Sequence, residues 1–411
     1  MKYIKRGLLS LVLLLSACGV EDENGDQVNG DGFTKDFSVD HIDTDVSSKQ
    51  QQFGFDLMEE IQSDLRNDEN MFISPLSISI AFAMVMNGAS EETKEEMLKV
   101  FYLDELNDEE RNNYFHQLIL YLENFQEDIE VAIANSIWSD EEFEPKEEFI
   151  QISQDWLFSE YIRQVLRTEE TVEDINSWVE ENTNGLIEEI FESVDDMDPD
   201  VVMYLINAIY FKGDWELEFD ATKTFTNTFY NLDGSESMVD YMNDMEEFYY
   251  QETDDYQAVK LPYKGETSHM VIVLPTDIQD FQMSEDVWND ISSSFVKEEI
   301  QLQMPKFTLQ YNVELSKYLQ NLGVESAFVE TKSNFSNITD DPRFKISRVL
   351  HDTFLEVDEK GTEAAAVTTV EAVVESAPMI PFMTINQPFY LFIYEEIADV
   401  ILFSGRINYL E

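Results

Sequence analysis

The side chains able to hold a metal or attack a carbon centre are few in this chain, and their spacing gives them no shared task. The four histidines are His41, His116, His269 and His351, and Cys18 is the only cysteine. None of the histidines stands at a metal-ligand spacing from another, and a lone cysteine neither completes a zinc set nor closes a disulfide within the chain. The metallopeptidase HExxH, the GxSxG elbow, the Walker loop and the dinucleotide GxGxxG do not occur. Acidic clusters abound, but none follows the EF-hand spacing, so they read as a solvated face. The expectation is a protein with no metal, no cofactor and no catalytic site of its own.

What remains is a backbone segment. Lys360–Pro378 reads KGTEAAAVTTVEAVVESAP, free of proline until Pro378 and of glycine after Gly361. As a strand it splits cleanly, because alternate residues share a face. Thr362, Ala364, Ala366, Thr368, Val370, Ala372 and Val374 are small or β-branched and uncharged, while Glu363, Glu371 and Glu375 fall on the other face. That is the pattern of a half-buried strand. A permanent strand or a solvated loop stays open on pattern alone. Small residues anchor a permanent core strand poorly, which favours a strand that inserts conditionally.

The elements around this segment come from apolar periodicity. Phe53, Leu57, Met58, Ile61 and Leu65 recur at helical spacing. Ser74-Pro75 opens a second helix carrying Ile78, Phe82, Val85 and Met86, and Ser90 to Thr93 caps a third. Further helical patterns cover 107–126, 145–158, 171–190 and 312–323. Val201–Phe211 is uncharged and rich in β-formers, so it reads as a central strand buried on both faces. Strands are expected within 223–275, at 301–310, and at the end in Tyr390–Tyr394 and Val400–Ser404. Length suggests more than one domain, yet no linker interrupts the pattern from 39 to 411.

The 411 residues carry a net charge of −61, with 43% hydrophobic residues, so there is material for a large core but no affinity for nucleic acid. A solvated acidic surface accounts for the charge, and a high-salt habitat would tolerate it. With so few cations there is no basic patch for a heparin-type activator. Residues 1–17 have a basic start (Lys2, Lys5, Arg6) and an apolar run, Leu8–Leu15, too short to span a bilayer. Leu15-Ser16-Ala17-Cys18 resembles the lipobox of bacterial lipoproteins, which implies cleavage before Cys18 and a lipid on its sulfur. An ordinary signal peptide with a chance cysteine is the alternative. Residues 18–38 are Gly-, Asn- and acid-rich and read as a flexible tether. Gly19, in place of an aspartate, favours the outer membrane. The expected location is the cell envelope, lipid-anchored at the outer membrane or cell surface, or the extracellular space.

Asn70–Asn87, Ile175–Leu186, Ile206–Trp215, Met304–Phe307, Leu322–Phe328, His351–Ala366 and Phe403–Arg406 follow one another in an order that resembles the serpins, a family of serine protease inhibitors. The resemblance implies an α+β serpin fold with three β-sheets, about nine helices and an exposed reactive-centre loop (about 359–382) whose insertion into the main sheet is a standing example of strand addition. It implies a serine-type endopeptidase inhibitor, and not an enzyme. A protease cleaves the loop, is held as a 1:1 acyl-enzyme, and is carried off as the loop inserts. By motif, Ser77, Asn207 and His351 match the shutter under the main sheet, and Trp215 and Lys306 match the breach, where insertion begins. Glu359, Lys360, Gly361, Thr362, Glu363, Ala364, Ala365, Ala366 and Val367 match the hinge, with Lys306 and Glu359 as an exposed ion pair. The family's usual loop puts the cleaved residue sixteen positions after the hinge glutamate, so the resemblance implies cleavage at Glu375–Ser376, with Val374 and Met379 as alternatives. The implied partner is a glutamyl- or elastase-like serine protease met by a monomer that touches the membrane through its lipid only. A non-inhibitory serpin, acting as a surface binding or chaperone-like module, is the competing function. Alanines at 364–366, where such relatives often carry bulky or charged residues, favour inhibition.

Overall fold

The structure is a computed structural model that describes residues 42–124, 129–197, 201–361 and 380–411, all within the unit Ser38–Glu411. The leader, the tether with Cys18, His41, the hinge residues Thr362 to Val367, and Val374, Glu375, Ser376 and Met379 lie outside the described residues.

Eight α-helices and three sheets are present among the described residues. Helix α1 (Thr44–Gln62) starts at Asp43, whose carboxylate accepts the Asp45 N–H at 3.0 Å, and buries Phe53, Leu57, Met58 and Ile61. Leu65 falls in the turn beyond it. Helix α2 (Pro75–Gly88) has proline in its first turn, Ser74 as cap, and every residue but Ala81 buried, which makes it the axis of the core. Helix α3 spans Glu91–Val100. Ser90 precedes it but makes no capping bond with its side chain, and its hydroxyl meets that of Ser336 instead. Helices α4 (Asp108–Asn124) and α5 (Glu147–Leu157) follow.

Helix α6 covers Glu169–Asn182, shorter than the 171–190 its sequence suggests. Asn184 and Gly185 adopt positive φ (51° and 81°), which ends the helix. The apolar residues beyond, Ile187 and Phe191, pack with Ile175 and Val179 without continuing it. Helix α7 spans Glu285–Ser294. Helix α8 is only Ser316–Leu322, because 312–314, expected as helix, complete a strand.

The largest sheet has nine strands. In order they are β1 (Met71–Ile73), β14 (Val400–Ile407), β13 (Phe389–Glu395), β8 (Ser268–Pro275), β7 (Tyr256–Pro262), β6 (Glu236–Glu252), β9 (Val296–Pro305) and β12 (Phe382–Thr384), with β5 (Phe225–Tyr230) on β6. A second sheet runs β3 (Glu160–Gln164), β2 (Ile129–Asp140) and β4 (Met203–Gly213), and a third pairs β10 (Phe307–Glu314) with β11 (Leu350–Val357). The expected central strand at 201–211 is β4, but several of its residues, Leu205 and Asn207 among them, are only partly buried.

Candidate functional site

Strands β4 and β11 lie side by side, and no ladder joins them. β4 bonds β2 on one edge, and β11 bonds β10 on one edge. Their N-terminal ends share the walls of one cavity, and their C-terminal ends meet at an isolated bridge, Asp214 to Gly361. The two strands therefore run in the same direction with a parting between them.

The closed end is built around Trp215, which is 1% exposed and stacks on Tyr263 at 4.7 Å between ring centres. Its indole N–H donates to the Asp358 carbonyl at 2.9 Å, and its backbone N–H donates to the Lys360 carbonyl at 2.6 Å. The Phe219 N–H adds a bond to the Glu359 carbonyl at 2.8 Å. Gly361 sits at φ +153°, and a Cβ there would lie 2.1 Å from the Gly213 carbonyl oxygen, so only glycine permits this approach. Lys306 Nζ meets Glu359 at 2.7 Å, and Thr224 Oγ1 donates to the same carboxylate at 2.7 Å. Burial works against the Glu359 charge, but the bonds from Lys306 and Thr224 outweigh it and hold its pKa below the usual carboxylate value. The Glu359 side chain is 12% exposed, so this is a partly buried pair and not the exposed one the sequence suggests.

The middle of the parting rests on a polar cluster over the start of α2. Ser77 Oγ donates to Asn207 Oδ1, and Asn207 Nδ2 donates to Asn135 Oδ1 at 2.7 Å. Asn135 Nδ2 in turn donates to the Leu157 carbonyl at 2.9 Å. On the other strand, His351 Nε2 accepts the Ser74 N–H at 2.9 Å. Ser74 Oγ donates to the Leu402 carbonyl at 2.6 Å, and Thr353 Oγ1 donates to that of Phe72 at 2.6 Å. Because its Nε2 is an acceptor, His351 is neutral. Burial pushes its pKa down to about 3.

The structure thus brings Ser77 and Asn207 into contact and places His351 on the cap of the same helix. Trp215, Lys306, Glu359, Lys360 and Gly361 gather at the other end of the parting, some 23 Å along β4 at about 3.3 Å per residue. Sequence reasoning missed Asn135 and Thr353, and it gives Ser74 only as the start of α2. Asn135 lies in β2, where Val131, Ile133 and Ile137 alternate around it, and that alternation was the available signal. Above the parting, α6 and the segment after it pack on Trp138, Tyr204, Ile206, Leu350 and Phe354. Among the described residues no group of three His, Cys, Asp or Glu could hold a metal, and no helix is long and apolar enough to cross a membrane.

A mixed α+β scaffold with a parted sheet, closed at one end by a buried tryptophan and a glycine hinge, defines the class. A family model described as serpin, serine protease inhibitor, matches residues 48–410. A serpin-like protein of Methanosarcina acetivorans is 32% identical, covering 98% of this chain and 97% of its own. Human Neuroserpin is 30% identical, covering 84% of this chain and 87% of its own. Among solved structures, the thermophilic serpin tengpin in its native state has a TM-score of 0.81 at 31% identity, covering 90% of this chain and 95% of its own. Its latent state has a lower score of 0.75 at 29% identity. The chain belongs to the serpin family, whose members are protease inhibitors generally.

Proposed function

We propose that this protein is an inhibitory serpin that traps a serine protease by loop cleavage and strand insertion. The observation that carries this reading is the bridge between Asp214 and Gly361. Continue that antiparallel register, and each step forward in the loop meets one step back in β4. Thr362 then faces Gly213, Ala364 faces Phe211, Ala366 faces Ile209, Thr368 faces Asn207 and Val370 faces Leu205. The odd-numbered side of β4 points toward α2, since Asn207 bonds Ser77, whereas Tyr204 and Ile206 pack under α6. The register therefore turns the whole uncharged face of the loop inward and leaves Glu363, Glu371 and Glu375 on the α6 side. A slip of one residue would bury the glutamates.

In this mechanism the protease serine attacks the Glu375 carbonyl, the Ser376 amine leaves, and the acyl-enzyme bond ties the protease to the residue that inserts last. Sixteen residues at about 3.3 Å each carry it roughly 53 Å. The gain is a ladder on the edges of β4 and β11 that carry no ladder among the described residues. Glu375 favours a protease with a basic primary pocket, and Val374 would select an elastase-like one.

The basic-then-apolar leader and Leu15–Cys18 support export and lipid attachment, so the inhibitor stands as a monomer on the cell envelope, guarding it from proteolysis. The test is to incubate the domain from residue 39 with a glutamyl endopeptidase and an elastase-type protease. An SDS-resistant adduct of summed mass, with stoichiometric loss of protease activity, is expected. Clean cleavage without adduct across a wider serine protease panel refutes inhibition and leaves a binding module.

A further inference from the structure

The end of the parting opposite Trp215 widens into a cavity of about 120 Å³. Ile78 and Phe82 of α2, Leu205 of β4, Ile187 and Phe191 of the segment after α6, and Phe344 give it apolar walls, and Ser77, Asn207 and His351 of the polar cluster line it as well. Two exposed cations, Lys345 and Arg348, also line it. That is unusual in a chain of 25 basic and 86 acidic residues, where most described cations are held by carboxylates, Lys146 and Arg343 nearby among them. Neither Lys345 nor Arg348 is in such a pair among the described residues, and Arg348 Nη1 donates to a backbone carbonyl, that of Asp196, at 3.1 Å. Two carboxyls share the lining, and both are engaged. Asp196 accepts the Ser193 N–H at 2.9 Å, and Asp352 accepts a bond from Asn312 Nδ2.

We propose that this cavity binds a small amphipathic carboxylate, with an aryl or short alkyl body among the apolar walls and the carboxylate at Lys345 and Arg348. Size limits the body. An apolar cavity of about 150 Å³ takes a benzene ring, so one of 120 Å³ takes about one ring, with a short linker running from it to the cations. Charge selects the head, since two cations that have no carboxylate partner among the described residues line the apolar wall and leave an anion as the complement. Leu205 borders both this cavity and the path of the incoming strand. On the inhibitory reading, on which this consequence rests, the ligand competes with the last part of insertion and acts as a brake.

The test is isothermal titration of the domain at low salt with 3-phenylpropionate and with neutral 3-phenylpropan-1-ol. The acid is expected to bind saturably and at least tenfold more tightly than the alcohol. In the double variant Lys345→Gln/Arg348→Gln the preference should vanish while the alcohol binds as before. Both residues are exposed, so folding is not at risk, and melting curves check it. No saturable binding of the acid, equal affinities in the parent protein, or a preference retained by the double variant overturns the site. With a protease that forms the adduct, added acid should raise the stoichiometry of inhibition. Saturable acid binding with no adduct to any protease refutes the inhibitory reading and keeps the site, whereas adduct formation without acid binding does the reverse.

Discussion

His351 makes the shutter sensitive to acid, and the size of the effect follows from its surroundings. In the fold its Nε2 accepts the Ser74 N–H at 2.9 Å, and burial pushes its pKa down to about 3 from an ordinary 6.5. Protonation would turn the acceptor into a donor, orphan the Ser74 N–H and set a charge against the positive end of α2. The unfolded chain takes up the proton near pH 6.5, and the folded one does not until about pH 3. The unfolded state therefore binds more protons throughout that window, so stability falls as pH falls, by about 1.4 kcal/mol per unit. Between pH 7.5 and pH 5 the loss comes to about 2 kcal/mol. The many carboxylates titrate in the same range, so the measurement is a difference. Urea unfolding is followed for the parent domain and His351→Gln at both pH values. His269, held near 4 by burial with help from Lys260, titrates in both proteins and cancels. Whatever stability the variant loses at pH 7.5, its deficit should shrink by about 2 kcal/mol at pH 5. A deficit that stays constant, or grows, refutes a neutral buried acceptor at this position.

Gly361→Ala places a methyl 2.1 Å from a backbone oxygen that cannot step aside, so the bridge to Asp214 must open. A loss of about 2–4 kcal/mol in urea unfolding is expected, and a change below about 0.5 kcal/mol would show that the contact is loose. Thr362→Arg puts a long cation opposite Gly213, where the insertion register allows no space. It should raise the stoichiometry of inhibition several-fold while leaving initial protease association alone, and an unchanged stoichiometry would sink the register. Cys18→Ser should move the protein from the membrane fraction to the soluble one and abolish labelling by radioactive palmitate, and persistent labelling would place the lipid elsewhere.

Much of the frame was legible because its signals are local. Pro75 after Ser74 sets the start of α2, and the uncharged run around Ile206 marks β4. The alternation in Thr362–Glu375 assigns a face to each residue. What was misjudged depended on partners distant in the chain. The 171–190 pattern reads as one helix because Ile187 and Phe191 keep facing the same apolar surface after the backbone has turned at Asn184 and Gly185. Strand β2 is hard to read because Asn135 interrupts its apolar alternation, and that buried asparagine is satisfied by Asn207 across from it and by the distant Leu157 carbonyl. The Lys306–Glu359 pair looked like a surface pair, and Thr224 and the neighbouring fold bury its carboxylate.

By itself, then, the sequence determined the family order of motifs, the absence of a catalytic or metal-binding pattern, and a loop patterned as a strand with one uncharged face. These are properties of residue type and spacing, which need no partner. Only the tertiary structure decided that β4 and β11 run side by side without a ladder, that a glycine bridge closes one end of the parting, and that an apolar cavity edged by two cations lies at the other. Hydrogen bonds between strands far apart in the chain, and the burial that shifts a histidine or a carboxylate, exist only once the chain has been brought back upon itself. The bridge at Gly361 joins the two kinds of knowledge, since it supplies the register that the alternation alone lacks.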